Sequence, residues 1–184
     1  MSKRKRRASS RMSENGFVQS MPRPFDANDE TSDRPEGRTL PFLKMTQGAY
    51  QKTIVELGAR PPEAAGILFG PKDEEPLATH FVLDTEGSAT SVSFTLNADF
   101  LNAILHRYKL CDLACVGIAH SHPSGFDVPS HGDLEYLATM FRRPANNAAG
   151  LFLFPIFSGG KLRPYLISPT SQLPRVMPAV LVLV

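Results

Sequence analysis

The chain has 184 residues, of which 42% are hydrophobic and 21% charged, with a formal net charge of +2. That length supports one domain with a substantial core and not comfortably two, and no apolar run approaches the ~20 residues of a transmembrane helix. Residues 1–40 carry nine Lys/Arg and six Asp/Glu, residues 41–184 eleven and twelve, so the positive charge belongs to the tail and the body lacks the cationic field of a nucleic-acid binder.

In chain order, residues 1–40 read as a disordered basic and polar tail. "SKRKRRASSR" and "DANDETSDRPEG" have no hydrophobic period. "KRKRR" could mark nuclear localisation or a polyanion, but a solvated tail accounts for it as well. The N-terminus lacks the apolar stretch of a secretory signal. With only two cysteines, Cys111 and Cys115, there is no disulfide framework. A reducing, cytoplasmic setting is expected, with both as buried free thiols.

The folded domain is expected over residues 41–184. "TQGAYQKTIVELGA" predicts a helix with Tyr50, Ile54 and Leu57 on one face and Gly58 near its C-terminus. "AAGILFG" predicts a buried strand, and "LATHFVLD" a second one after the charged turn "PKDEEP". "NADFLNAILHRYK" has the clearest helical stripe, through Phe100, Leu101, Ile104, Leu105 and Tyr108. "LACVGIAH" is a buried strand and "HGDLEYLATMFRR" a third helix. "GLFLFPIFSGGKLRPYLIS" predicts a hairpin turning at Gly159-Gly160, with Pro155 and Pro164 placing its strands at an edge or beside a bulge. "PAVLVLV" reads as a final strand or docking segment. Interleaved strands and helices predict an α/β fold with a mixed sheet flanked by helices.

Chemistry concentrates in "HSHPSGFDVPSHGD", residues 120–133. Residues i and i+2 of a strand share a face, so "LACVGIAH" delivers His120 and His122 to one side, with Ser121 turned away. Two adjacent neutral imidazoles suit a zinc ion. Ser130 and Asp133 have the spacing of a capping box at a helix start, which explains both without chemistry. Yet the intervening loop is long enough to fold the helix start back over the strand end. Asp133 then becomes a third ligand, in an open site with room for water. Amide hydrolysis there also needs a carboxylate to carry a proton. Glu63, Asp84, Glu86, Asp127 and Glu135 are candidates. Glu63 has the advantage of directly preceding a buried strand.

These segments resemble the JAMM/MPN+ (JAB) metalloprotease family. "HSHPSGFDVPSHGD" is similar to its His-x-His, seven residues, Ser, two residues, Asp signature, and "PPEAAGILFG" to its upstream glutamate segment. The resemblance spans roughly residues 45–168 and implies a cytidine-deaminase-like α/β sandwich. It further implies one Zn2+ bound by His120, His122 and Asp133, Glu63 as general base and acid, and Ser130 as oxyanion donor. The activity it implies is isopeptidase or peptidase cleavage after the C-terminal glycine of a ubiquitin-like protein. The sequence looks most like compact bacterial members that act beside activating-like and conjugating-like enzymes, in conjugation or antiphage operons. "PSG" and "VPS" are also similar to RadC-like proteins, whose motif carries Asn where Ser121 stands; Ser121 favours the peptidase branch. A degenerate scaffold module is the other alternative. His131 is expected to be an exposed helix-start residue, His80 and His106 to be structural, and "SGG" at 158–160 to be a turn.

Overall fold

A computed structural model describes residues 39–184, apart from 61–62, 73–74, 90–93 and 144–149. The tail read as disordered, with its basic run, lies outside the described residues. The elements are β1 (Phe42–Met45), α1 (Gln47–Gly58), β2 (Ala65–Pro71), β3 (Leu77–Ala78), β4 (His80–Leu83), β5 (Ser88–Ala89), β6 (Phe94–Thr95), α2 (Ala98–Lys109), β7 (Leu113–Ser121), α3 (His131–Phe141), β8 (Phe152–Leu153), β9 (Ile156–Ser158), β10 (Lys161–Arg163), β11 (Tyr165–Ser168), β12 (Arg175–Pro178) and β13 (Val180–Leu183). No helix among the described residues is long and apolar enough to cross a membrane.

Each helix begins with a polar side chain that accepts an otherwise unpaired backbone N–H. Thr46 takes that of Ala49 at 3.2 Å, Asn97 that of Phe100 at 2.9 Å, and Ser130 that of Asp133 at 3.1 Å. Gly58 stands at the C-terminus of α1 as expected, and the helix ends through Ala59 in a right-handed conformation. A Cβ at Gly58 would stand 3.3 Å from the Phe157 ring, so this glycine serves close packing.

β7 is the centre of the main sheet. β2 pairs antiparallel along one side of it, with β4 outside β2. On its other side β8 and β9 run parallel to it in one continuing register, Gly117 opposite Leu153 and His120 opposite Ile156. Pro155 interrupts that strand and Pro164 its antiparallel neighbour, made of β10 and β11, because proline offers no N–H to a ladder. Pro164 follows β10, an edge strand as expected, whereas Pro155 divides a strand paired on both sides, where neither an edge nor a bulge had placed it. β12 follows β11. The hairpin turns at Gly159 and Gly160, both at positive φ (56° and 76°), the turn that suits strand twist. The mixed α/β sheet is as expected.

Alternate residues of the central strands face two apolar clusters. Leu68, Val116, Ala119, Leu153 and Leu166 join Ala49 and Leu57 of α1. Ala65, Ile118, Phe152, Ile156 and Ile167 join Leu137 and Phe141 of α3. This two-sided burial explains why "AAGILFG" and "CVGIA" read as unbroken apolar runs.

Two expectations change. "LATHFVLD" is two strands: β3 pairs with β1 and β4 with β2, the chain turning at Thr79, whose N–H donates to the Phe69 carbonyl at 2.8 Å. α2 has the predicted stripe but buries no residue fully; its Tyr108 ring stacks on Phe69 with centroids 4.1 Å apart. The terminal segment docks as predicted, β13 lying parallel to β1.

Candidate metal centre

The register of β2 against β7 places Ala65 opposite His120, so Glu63 falls beside His122, on the α3 side of the sheet. β7 ends at Ser121, and His122 continues its path because its N–H donates to the Phe157 carbonyl at 2.9 Å. The His120 N–H donates to the Pro155 carbonyl at 3.1 Å. With both backbones held, the two rings stand edge to face, centroids 4.8 Å apart. Both residues are buried, at 7% and 6% exposure. The strand-alternation argument thus holds for the imidazoles.

α3 returns over this strand end. Ser130 and Asp133 form the capping box that their spacing suggests. The Ser130 N–H and hydroxyl donate to Asp133 Oδ2 at 2.7 and 2.8 Å. The same carboxylate faces both histidines: Oδ1 lies 3.0 Å from His120 Nδ1, and Oδ2 lies 3.1 Å from His122 Nε2. The capping box is realised, and the helix start does return over the strand end, bringing one carboxylate to both rings. The returning loop is braced from β9–β11. Ser158 Oγ donates to the Pro123 carbonyl at 3.0 Å, Tyr165 Oη donates to the Asp127 carbonyl at 3.1 Å, and Arg163 Nε pairs with Asp127 Oδ2 at 3.2 Å. Sequence reasoning missed these braces, whose partners lie more than thirty residues on.

The structure separates the five carboxylate candidates. The Asp84 carboxylate accepts the N–H groups of Glu86, Gly87 and Asn97, which accounts for its burial. Asp127 is held by Arg163, Glu135 pairs with His131 at the surface, and Glu86 is exposed. Glu63 alone of the five turns to the histidines, buried, with Oε2 3.0 Å from His120 Nε2. Glu63, His120 and His122 each offer a ligand atom, the three within 4.8 Å of one another. Asp133 meets the two rings through separate oxygens. The expected ligand set was His120, His122 and Asp133; the three donors close enough to share an ion are Glu63, His120 and His122, while Asp133 lies against His120 Nδ1 and His122 Nε2.

Two carboxylates and two imidazoles buried together call for a cation. Burial alone would push the His120 pKa down, but the Asp133 hydrogen bond and the negative charges of Asp133 and Glu63 outweigh it and raise the pKa to about 9. Burial likewise opposes ionisation of Asp133, and the hydrogen bonds from His120 and His122 outweigh it, holding its carboxyl well below the usual range. His120 Nε2 is buried and, though close to Glu63, not aligned with it; it has no hydrogen-bond partner among the described residues. A buried ring nitrogen without a partner, beside a second imidazole and two carboxylates, fits a divalent cation of borderline softness. The cluster opens into a cavity of about 150 Å³ lined by Glu63, His120, Ser130 and Asp133 and floored by Ala65, Ile118 and Phe154.

The other histidines lie elsewhere: His131 is exposed at the start of α3, as expected, and His80 and His106, expected to be structural, are exposed too. The cysteine expectation is half corrected. Both thiols are free, but Cys111 is exposed, because it follows α2 in a surface turn. Cys115, part-buried as a residue, has its thiol pushed up to about 11 by burial.

Residues 50–168 match the family described as prokaryotic homologs of the JAB domain. The chain belongs to that family. The matched segment contains β2, β7 and α3, the elements that gather Glu63, His120, His122, Ser130 and Asp133, and the JAB family includes metallohydrolases. No curated protein matches the sequence. Among solved structures, the JAB domain here is similar to the solution structure of protein DSY2949 from Desulfitobacterium hafniense, at 16% identity and a TM-score of 0.59, over 77% of this chain and 92% of that one. It is also similar to a protein from Salinibacter ruber, at 19% identity and a TM-score of 0.49, over 76% and 92%. The first likeness supports the fold.

Proposed function

We propose that this JAB-domain protein is a zinc-dependent peptidase that cleaves after the C-terminal glycine of a ubiquitin-like protein, at an isopeptide or a linear bond. The observation that carries the reading is the buried convergence of Glu63 on His120 and His122, with Asp133 hydrogen-bonded to both rings. His120, His122 and Asp133 would hold the ion. Asp133 suits a fixed ligand because Ser130 and the α3 N-terminus lock its carboxylate. Were Glu63 a fourth ligand, no open position would remain for substrate.

Zinc, when bound, supplies Lewis acidity, polarising a carbonyl and acidifying water from a pKa of 15.7 to about 7. The rest of the chemistry falls to the chain. Glu63 takes a proton from the attacking water and returns it to the departing amine. The Ser130 hydroxyl, at the positive end of α3, would turn its proton from Asp133 Oδ2 to the carbonyl oxygen as negative charge develops, while the Ser130 N–H keeps its bond to that carboxylate. Activating-like and conjugating-like enzymes would supply the conjugated substrate.

The test uses the purified protein with a linear ubiquitin-like fusion and an isopeptide-linked substrate. Turnover should disappear on chelation and return with zinc. Glu63→Gln should keep one zinc per chain and lose activity at least about 100-fold, the scale of a lost general base; His122→Ala should lose metal and activity together. Undiminished cleavage after chelation, or by the Glu63→Gln protein, would overturn the reading.

A further inference from the structure

Ser121 lies between the two histidines and the proposed chemistry does not use it. It is 3% exposed, and strand alternation turns its side chain away from the rings. What it meets is the backbone of Ala64, fifty-seven residues earlier. Ser121 Oγ accepts the Ala64 N–H at 2.8 Å and donates to the Ala64 carbonyl at 3.3 Å. The Ser121 N–H donates to that same carbonyl at 2.7 Å. One residue thus holds both backbone polar groups of the residue that follows Glu63.

That grip falls where Glu63 needs support. β2 begins at Ala65, so Glu63 and Ala64 precede the strand, on a bend. Strand ends fray unless tied down. The Glu63 carboxylate must nevertheless keep its place 3.0 Å from His120 Nε2 while buried.

We infer that Ser121 is a positioning residue for Glu63: its hydroxyl clamps Ala64 and so holds the proton-carrying carboxylate over the histidines, touching neither substrate nor metal. The inference rests on the proposed role of Glu63. Removing the hydroxyl leaves the Ala64 N–H buried without a partner, and the bend must move to satisfy it. A misplacement of about 1 Å costs on the order of 100-fold in rate.

The test compares the wild-type protein, Ser121→Ala, Ser121→Thr, Glu63→Gln and the Ser121→Ala/Glu63→Gln pair. Zinc affinity is read by competition with a chromophoric chelator, kcat and KM on the ubiquitin-like fusion, and Glu63 position from crystal structures. For Ser121→Ala we expect unchanged zinc affinity and KM, kcat down about 100-fold, and the Glu63 carboxylate displaced while both rings stay in place. Ser121→Thr, which restores a hydroxyl, should recover most of kcat. On the Glu63→Gln background, Ser121→Ala should cost nothing further, since both act through one group. The proposal is overturned if Ser121→Ala loses zinc, if it costs as much on the Glu63→Gln background, or if Glu63 has not moved. Should the wild type cleave neither substrate, the peptidase reading fails alone, and the zinc titration and crystal structures still decide the clamp.

Discussion

Single residues here answer to two physical demands at once. Ser130 and Asp133 satisfy the unpaired N–H groups that every helix start exposes, and the same carboxylate holds two imidazoles. Ser130→Ala should therefore do more than a simple cap mutation. The cap accounts for about 1 kcal/mol, seen as a lower Tm of the metal-free protein. The lost hydroxyl also frees Asp133, so zinc affinity should fall about 10-fold or more, as when a ligand loses its supporting hydrogen bond; chelator competition measures it. The cysteines give a pH prediction. The thiolate is the reactive form, and burial raises the Cys115 pKa to about 11. In the folded protein Cys115 should resist iodoacetamide at pH 8 and react progressively faster as pH rises toward 11. The exposed Cys111 should react first, and mass spectrometry of the timed reaction separates the two.

Elements place these residues through close backbone contact. β7 carries the histidines between β2 and the strand made of β8 and β9, and Gly117 marks where that packing is tightest. A Cβ there would run into the Leu153 backbone carbonyl, which cannot swing aside. Gly117→Ala should cost about 2–4 kcal/mol, in the range of overpacked core sites, read as a lower denaturant midpoint. Because the parallel ladder continues from Gly117 to His120, the same change should weaken zinc binding. An unchanged midpoint would show that β8 moves freely. α1 and α3 were readable because each buries one apolar face, and β2 and β7 because burial on both faces leaves unbroken apolar runs. β3 and β4 were not separable, because the break at Thr79 comes from two different partner strands, which leave no mark on local hydropathy.

At the scale of the whole domain, folding brings two carboxylates and two imidazoles together in a buried site, where a bound cation would offset the cost of burying both carboxylates. An ion that binds the folded chain alone stabilises it by RT ln(1 + [L]/Kd), about 2.7 kcal/mol at a hundredfold excess over Kd. At about 2–4 °C per kcal/mol for a chain of this size, zinc should raise Tm by roughly 5–10 °C by scanning calorimetry. In the His122→Ala protein that rise should vanish. An equal rise in both would place the ion elsewhere.

The donor types and their spacing were settled by sequence alone: His120 and His122 on one side of a strand, Ser130 and Asp133 at a helix start, and a glutamate ahead of a buried strand. Strand alternation and helix capping are local rules, and they carry that much. Spacing left five acidic residues open and the family resemblance named Glu63, but how its carboxylate reaches the imidazoles was decided only by the tertiary structure, through the register of β2 on β7. So were the grip of Ser121 on Ala64 and the exposure of Cys111. These depend on contacts between segments tens of residues apart, and such contacts follow from how apolar faces of whole strands match, a property no short stretch of chain possesses.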